Sequence, residues 1–384
     1  MKKNKLIIAG LLLIYVLFVT VQVQGSEEKL VVDEILILGV SRTQKEVIYN
    51  QLPFAEGDCW QKEYREWAIQ RLATLNIFTY EPLQLVTQPL DEERLRVIIR
   101  VADPSLLYLD PAEFLFISLM GLTSNQLGLT FYNPWGTGHN ISTTVNWSDN
   151  YSYGVRVSKP FLSGRLTLSG HQYRNDTFHY QSEGWLAGIN HRYWWNENLR
   201  TTTGISLQTV EFDQQHQQLL IPKISVFHQG LVHSKTELQY GLSLNKEQAS
   251  FSKINTVLYR PGKNLLNLVR LGYAAETTPA NKQFVVGGFG SLPLRAEPRG
   301  ILVNGYFLTT AEYHYSLNPS LKLIGFVDGG WLKSKKPDTI INLGAGLSMD
   351  TPLGLPLRFD AAINPVSKDW RWNIGFEFSF NPPI

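Results

Sequence analysis

Two arginines and two carboxylates carry the chemistry this sequence can do. Arg295 and Arg299 lie in a Gly/Pro-rich stretch, SLPLRAEPRG, that follows Gly287-Gly288, and Glu312 and Asp328 come soon after in strand-like runs. A guanidinium facing a carboxylate makes two parallel charge-assisted hydrogen bonds, which fix position without any reaction. Phe326, Asp328 and Gly330 occupy alternate positions of one run and so share a face of a strand. Glu312 shares a face with Thr310, His314 and Ser316, opposite Ala311, Tyr313 and Tyr315. The loop is expected to fold back and set Arg295 or Arg299 against Asp328, with Glu312 as a second acceptor. The alternative leaves both arginines solvated. Ile324 and Phe326 are out of place on a wet surface beside Asp328, which implies that a loop packs on them.

Other chemistries find little support. The eight histidines are scattered, with no helical His-x-x-x-His pair, so no metal site is expected. Gly-x-Ser-x-Gly does not occur, and one cysteine makes a thiol site a poor candidate. Gly287-Gly288-Phe289-Gly290 sits in too apolar and Pro-rich a context for a phosphate loop. Asp360 and Glu377 resemble paired catalytic carboxylates only superficially. The expectation is no enzyme, no cofactor and no metal; a hydrolase would rest on fold analogy alone.

The elements that position these residues must be strands. The chain has 384 residues, 18% charged and 12% aromatic, with 30 glycines, which suits a β-rich or membrane protein rather than a disordered one. The net charge of +2 leaves no footprint of a nucleic-acid partner. Three lysines in Met1–Lys5, the apolar run Leu6–Val21 and the small residue Gly25 have the layout of a secretory signal peptide, residues 1–25, with an uncleaved anchor as the alternative. Cys59 stands alone, so no intramolecular disulfide can form. Beyond the leader no apolar run approaches the roughly 18 residues of a spanning helix. If the mature chain crosses a membrane, it crosses as a closed barrel.

Residues 26–103 read as a compact β-α-α-β-β unit. Val31-Val32 and Ile35–Leu38 form a strand, and Thr43 with Glu46 suggests a capping box. Trp67, Ala68, Leu72 and Leu75 make a helical stripe, and Leu83–Val86 with Leu95–Val101 a hairpin. The strand ending in Ile-Leu-Gly, the Leu75-Asn76-Ile77-Phe78 turn and the closing strand resemble a POTRA (polypeptide-transport-associated) domain. That resemblance implies handling of unfolded chains by strand addition at a sheet edge; a generic α/β plug or spacer is the other reading. Residues 104–121 are an apolar connector.

From residue 122 to 384 short alternating runs follow one another. Ile341, Leu343, Ala345, Leu347 and Met349 alternate with Asn342, Gly344, Gly346 and Ser348, and the runs 355–363 and 372–380 repeat the pattern. Alternation suits a soluble sandwich as well. Here, however, aromatics mark strand ends on the apolar face, and the other face is Gly, Ser, Asn and charge. The chain also ends on a strand that can pair with the first. The expected fold is therefore a small α+β POTRA domain followed by a transmembrane antiparallel β-barrel of about 16 strands.

This part resembles BamA-type barrels of the BamA/TamA/two-partner-secretion superfamily. The matching residues are Asn133-x-x-Gly136-x-Gly138, the Gly287–Tyr313 segment as the inward-folded sixth loop, Phe326-x-Asp328-x-Gly330, the Gly344–Asp360 hairpin and the final strand ending at Phe380. The family's Arg-Gly-aromatic triplet is missing: Arg295 lacks the Gly-aromatic pair, and Arg299-Gly300 lacks the aromatic. Arg295 is favoured as the latch, because carboxylate pairing needs only the guanidinium. Gly375, mid-strand in the last strand, and Phe380 are expected at a weak first-to-last seam. The resemblance implies the bacterial outer membrane, with the POTRA domain in the periplasm and an inward loop gating the barrel. Its partners would be an unfolded or exported polypeptide client, outer-membrane lipid and accessory lipoproteins. Insertion or translocation of polypeptides leads; a dedicated two-partner-secretion-like exporter and a passive pore with a POTRA-like plug remain alternatives. One POTRA unit points to a specialised role.

Overall fold

The computed structural model describes residues 30–78, 83–103, 126–147, 151–162, 164–176, 181–212, 215–245, 250–260, 262, 264–287, 295–296, 301–333, 338–350 and 356–376. The expected leader (1–25), the connector (104–121), Arg299, Glu377 and Phe380 lie outside them.

The N-terminal unit runs β1 (Val31–Leu38), α1 (Lys45–Tyr49), α2 (Glu63–Leu75), β2 (Gln84–Pro89) and β3 (Arg94–Arg100). β3 is central, parallel to β1 and antiparallel to β2. Leu95, Val97 and Ile99 alternate along β3, and a register shift between Val32 and Glu34 lets Val32, Ile35 and Ile37 line the same side of β1. That face packs on Ala68, Leu72 and Leu75 of α2 in one buried cluster. Trp67 is only half-buried, with the Arg71 guanidinium 4.3 Å over its ring.

The capping box expected at Thr43 and Glu46 does not form. Gln44 is the residue before α1 and no side chain caps the helix. The Thr43 hydroxyl instead donates to Asp103, whose carboxylate also accepts the backbone N–H groups of Ser41 (2.8 Å), Arg42 (2.6 Å) and Thr43 (3.0 Å). Partial burial pushes this carboxyl up, but the Thr43 hydroxyl and the three backbone donors outweigh it and hold it below its ordinary value. A depressed carboxyl stabilises the fold above its unfolded pKa, about 3.9, and loses that contribution as pH falls through the folded value. Asp103→Asn is expected to cost about 1.5–3 kcal/mol, toward the low end because the site is partly exposed. Limited proteolysis of the full chain in micelles checks this: cleavage around 40–45 should rise in the variant at pH 7, and in the parent only as pH falls below the ordinary carboxylate range.

This unit docks on the end of the large sheet through backbone and caps. The strands there are β4 (Gln126–Tyr132), β5 (Asn140–Asn146), β6 (Ser152–Phe161), β7 (Gly164–Asp176), β8 (Gln181–Trp194) and β9 (Leu199–Phe212). Gln44 N donates to Gly136 O at 2.8 Å, and Asn133 Nδ2 to Thr43 Oγ1 at 2.7 Å. The Asn-x-x-Gly-x-Gly turn has a geometric reason: Asn133, Gly136 and Gly138 all have positive φ, and a Cβ on Gly136 would strike the Arg42 carbonyl. At the other end of the contact, Arg165 NH1 caps α2 by donating to Thr74 O (3.0 Å) and Leu75 O (2.5 Å), a cation at a helix C-terminus. Trp194 Nε1 donates to Thr74 Oγ1 at 2.9 Å.

The sheet continues through β10 (Gln215–His228), β11 (His233–Ser243), β12 (Phe251–Arg260) and β13 (Leu265–Ala274). It then passes to β16 (Gly305–Asn318), β17 (Leu321–Lys333), β18 (Asp338–Asp350), β19 (Pro356–Ile363) and β20 (Trp370–Phe376). All neighbours are antiparallel, and β13 pairs directly with β16; between them β14 (Phe284–Val286) and β15 (Ile301–Val303) pair with each other outside the sheet. The sheet holds fifteen strands among the described residues, against the sixteen or so expected, and no ladder joins β20 to β4 among them. Gly375 lies in β20 opposite Arg358 of β19.

Polarity is inverted relative to a soluble sheet. In β18, Ile341 and Leu343 are 45% and 42% exposed, while Asn342 between them is fully buried. Val155, Leu168, Ile205, Leu271, Tyr313, Tyr315, Val327 and Trp331 are exposed in the same way on the outer face. No helix among the described residues is long and apolar enough to cross a membrane.

Candidate functional site

The inner face is built by register. Leu266, Leu268 and Arg270 of β13 stand opposite Glu312, Thr310 and Leu308 of β16, and these oppose Phe326, Asp328 and Gly330 of β17. Asp328 faces Asn342 in β18, and Gly346 faces Asp360 in β19. Period-two alternation therefore delivers Glu312, Asp328, Arg358 and Asp360 to one surface.

The described parts of the 275–304 connection lie against that surface. Phe284, Val286 and Val303 of the hairpin pack on Tyr306, Leu308, Leu332 and Ile340, with Phe284 edge-on to Tyr306 at 4.9 Å between centroids. Lys253 Nζ lies 4.1 Å over the Phe284 ring and donates to the Lys282 carbonyl, and Lys282 Nζ donates to Gln208 of β9. Further along, Ala296 packs on Ile324, Phe326 and Ala362. The apolar inner residues singled out from the sequence are thus covered by this connection.

Arg295 is 5% exposed and its guanidinium carbon lies 3.9 Å over the Phe326 ring. Its NH2 donates to Glu312 Oε1, while its Nε sits 3.6 Å from both Asp328 Oδ2 and Asp360 Oδ2. The main acceptor is therefore Glu312, expected as the second, and not Asp328, expected as the first. Asp328 is nevertheless held: its Oδ1 accepts from Thr310 Oγ1 at 2.9 Å, and it accepts the Arg295 backbone N–H. The reason for the exchange is a partner the sequence reading passed over. Arg358 donates from NH1 and NH2 to the two Glu312 oxygens at 3.1 Å each, and from Nε to Asp360 Oδ1 at 2.9 Å. Glu312 thus lies between two guanidiniums, and His314 Nε2 is 3.0 Å from its Oε2. Arg358 and Asp360 were legible as charges two apart in Leu-Arg-Phe-Asp, facing inward together.

Glycines make room for this cluster. A Cβ on Gly330 would meet the Leu308 side chain. At Gly344 it would lie 2.6 Å from Phe326 Cε2, closer to Phe326 Cζ, and against the Ala361 carbonyl. Gly344→Val should therefore displace Phe326 and the Arg295 guanidinium above it, at a cost of about 1–3 kcal/mol. The midpoint of heat-induced unfolding, followed by electrophoretic mobility, measures it. Among the described residues no group of three His, Cys, Asp or Glu side chains is placed to hold a metal ion. Four charges, Glu312, Asp328, Arg358 and Asp360, are thus buried on a strand wall within reach of one another and of Arg295.

This wall of antiparallel strands, apolar outside and polar inside, is similar in fold to solved structures of BamA and CdiB. BamA from Haemophilus ducreyi lacking POTRA domains 1–3 superposes with a TM-score of 0.56 at 13% identity over 92% of this chain and 84% of that one. CdiB from Acinetobacter baumannii gives 0.61 at 14% identity, over 91% of this chain and 74% of that one. CdiB from Escherichia coli gives 0.61 at 16%, over 90% and 75%. At 13–16% identity these likenesses show a shared fold. No protein-family model and no curated protein matches the chain.

Proposed function

We propose that this chain sits in a bacterial outer membrane and inserts or translocates polypeptides, with residues 26–103 serving as a periplasmic POTRA domain that receives unfolded client. The observation that carries this reading is the packing of the described parts of the connection on the inner face, with Arg295 buried between Glu312, Asp328 and Asp360. A filled interior suits regulated passage better than a standing aqueous pore. β2 is an edge of the N-terminal sheet, paired only with β3 among the described residues, while the other edge, β1, carries the isolated Val31–Cys59 bridge; β2 offers an incoming extended segment a strand to pair with. The seam between the first and last strands would open laterally or to the outside, and Gly375 would weaken it. Depletion followed by comparison of outer-membrane and secreted proteomes is the test. Loss of many barrel proteins would identify an insertase, and loss of a single secreted protein a dedicated exporter. An unchanged proteome would overturn the reading and favour a passive pore.

A further inference from the structure

The interior wall is divided by charge. The acids Glu312, Asp328 and Asp360 lie on β16, β17 and β19, where Arg295 and Arg358 meet them. On β6–β11, by contrast, Arg156, Arg165, Arg192, Arg200, Lys223 and Lys235 occupy inner-face positions by register. Among the described residues Glu237 is the only acid on that part of the inner face, and it is taken by Lys223 at 2.7 Å.

The other cations crowd together, with Glu237 the one acid acting on Lys235. Arg165 and Arg192 are directly opposite each other across β7 and β8, a placement that destabilises a sheet when the charges are alike. Arg192 and Arg156 act as like charges on Arg165, and Arg192 on Arg200, while Lys235 has Glu237 as an opposite charge and Lys223, Arg200 and Arg192 as like ones. Arg200 lies over two rings, Trp194 at 5.1 Å and Phe227 at 4.4 Å, while Arg156 and Arg192 are exposed to the interior. Retained repulsion of this kind suits a ligand that supplies the missing negative charge. The belt begins where the N-terminal unit docks, since Arg165 caps α2 and Trp194 holds Thr74. From β6 to β11 it crosses five strand spacings, roughly 24 Å, at ~4.8 Å each. That is too long for one lipid headgroup, and about seven residues of extended chain would cover it.

We propose that this belt is a binding track for acidic stretches of an unfolded polypeptide passing from the N-terminal unit into the barrel. The proposal rests on the polypeptide-handling reading above and names the chemistry of the client. Carboxylates would pair with Arg156, Arg192 and Lys235, and the aromatic faces of Trp194 and Phe227 would hold Arg200 pointing into the passage.

The test uses the full-length protein in detergent micelles and fluorescence anisotropy. The probes are labelled unstructured peptides of one length, rich in Asp/Glu, in Lys or in Ser/Gly. Only the acidic peptide should bind, more weakly as salt rises. R192Q/R200Q should weaken it by at least about ten-fold, the size of one lost charge-assisted hydrogen bond, and R192K/R200K should retain most of the binding. Should the double glutamine variant fail to fold, Arg156→Gln carries the same test with a smaller loss. Absence of acidic-peptide binding, or binding indifferent to these variants, would overturn the proposal. So would tighter binding of lipopolysaccharide or of an oligonucleotide of equal charge. The depletion experiment separates the two levels. If clients are lost on depletion but the acidic peptide does not bind, the track fails and transport stands. If the peptide binds but no client is lost, transport fails and the track stands.

Discussion

Replacing Glu312 with alanine is expected to cost about 3–5 kcal/mol, the penalty for leaving buried charge without its partner. Glu312 is fully buried and receives Arg295, both terminal nitrogens of Arg358 and His314. Its removal strands two guanidiniums in the wall. Asp360 still accepts from Arg358 Nε, but only the 3.6 Å contacts to Asp328 and Asp360 remain to Arg295 among these ion pairs. The midpoint of heat-induced mobility change in detergent should fall well below that of the parent. Glu312→Gln, which keeps an acceptor oxygen and loses the charge, should lie between the two. A variant as stable as the parent would mean that Arg295 and Arg358 are not held by this acid.

Arg295→Ala should behave differently, with the larger change in passage and the smaller one in stability. The Glu312–Arg358 and Arg358–Asp360 bonds lie wholly within the wall and survive it. What is lost is the connection's charged anchor, leaving Ala296 against Ile324, Phe326 and Ala362. In planar bilayers the variant should show several-fold higher conductance with frequent long openings. Stable, large conductance that is the same in parent and variant would instead favour a passive pore, and with it the reading of the N-terminal unit as a spacer. Combining Arg295→Ala with Glu312→Ala should recover part of the stability lost in Glu312→Ala alone, because one stranded guanidinium is removed with its partner.

Period-two patterning made the wall readable residue by residue. Ile341, Leu343, Asn342 and Ser348 fall on the faces that alternation assigns them, and Phe326, Asp328 and Gly330 share a surface as expected. The connection's return was legible too, since Ile324 and Phe326 needed a cover. Pairing within the site was less so. Which acid takes Arg295 depends on Arg358, which reaches Glu312 across two intervening strands; sequence spacing carries no such information. Thr43 misled for a related reason. A Thr three residues before a Glu fits a helix cap, but Asp103, sixty residues on, competes successfully for the hydroxyl. The cationic inner positions passed unnoticed because each belongs to a different strand, and only the register sets them side by side.

The site draws Arg295 from a connection, Glu312 from β16, Asp328 from β17 and two residues from β19, and this has a consequence for how the molecule is made. The set cannot be completed until β19 has joined β18, almost at the end of the chain. A nascent wall lacking its last strands would hold residues 275–304 without the arginine that steadies their acceptor. A chain arrested before residue 356 should remain unsealed and open to quality-control proteases, while one that has paired β19 should mature.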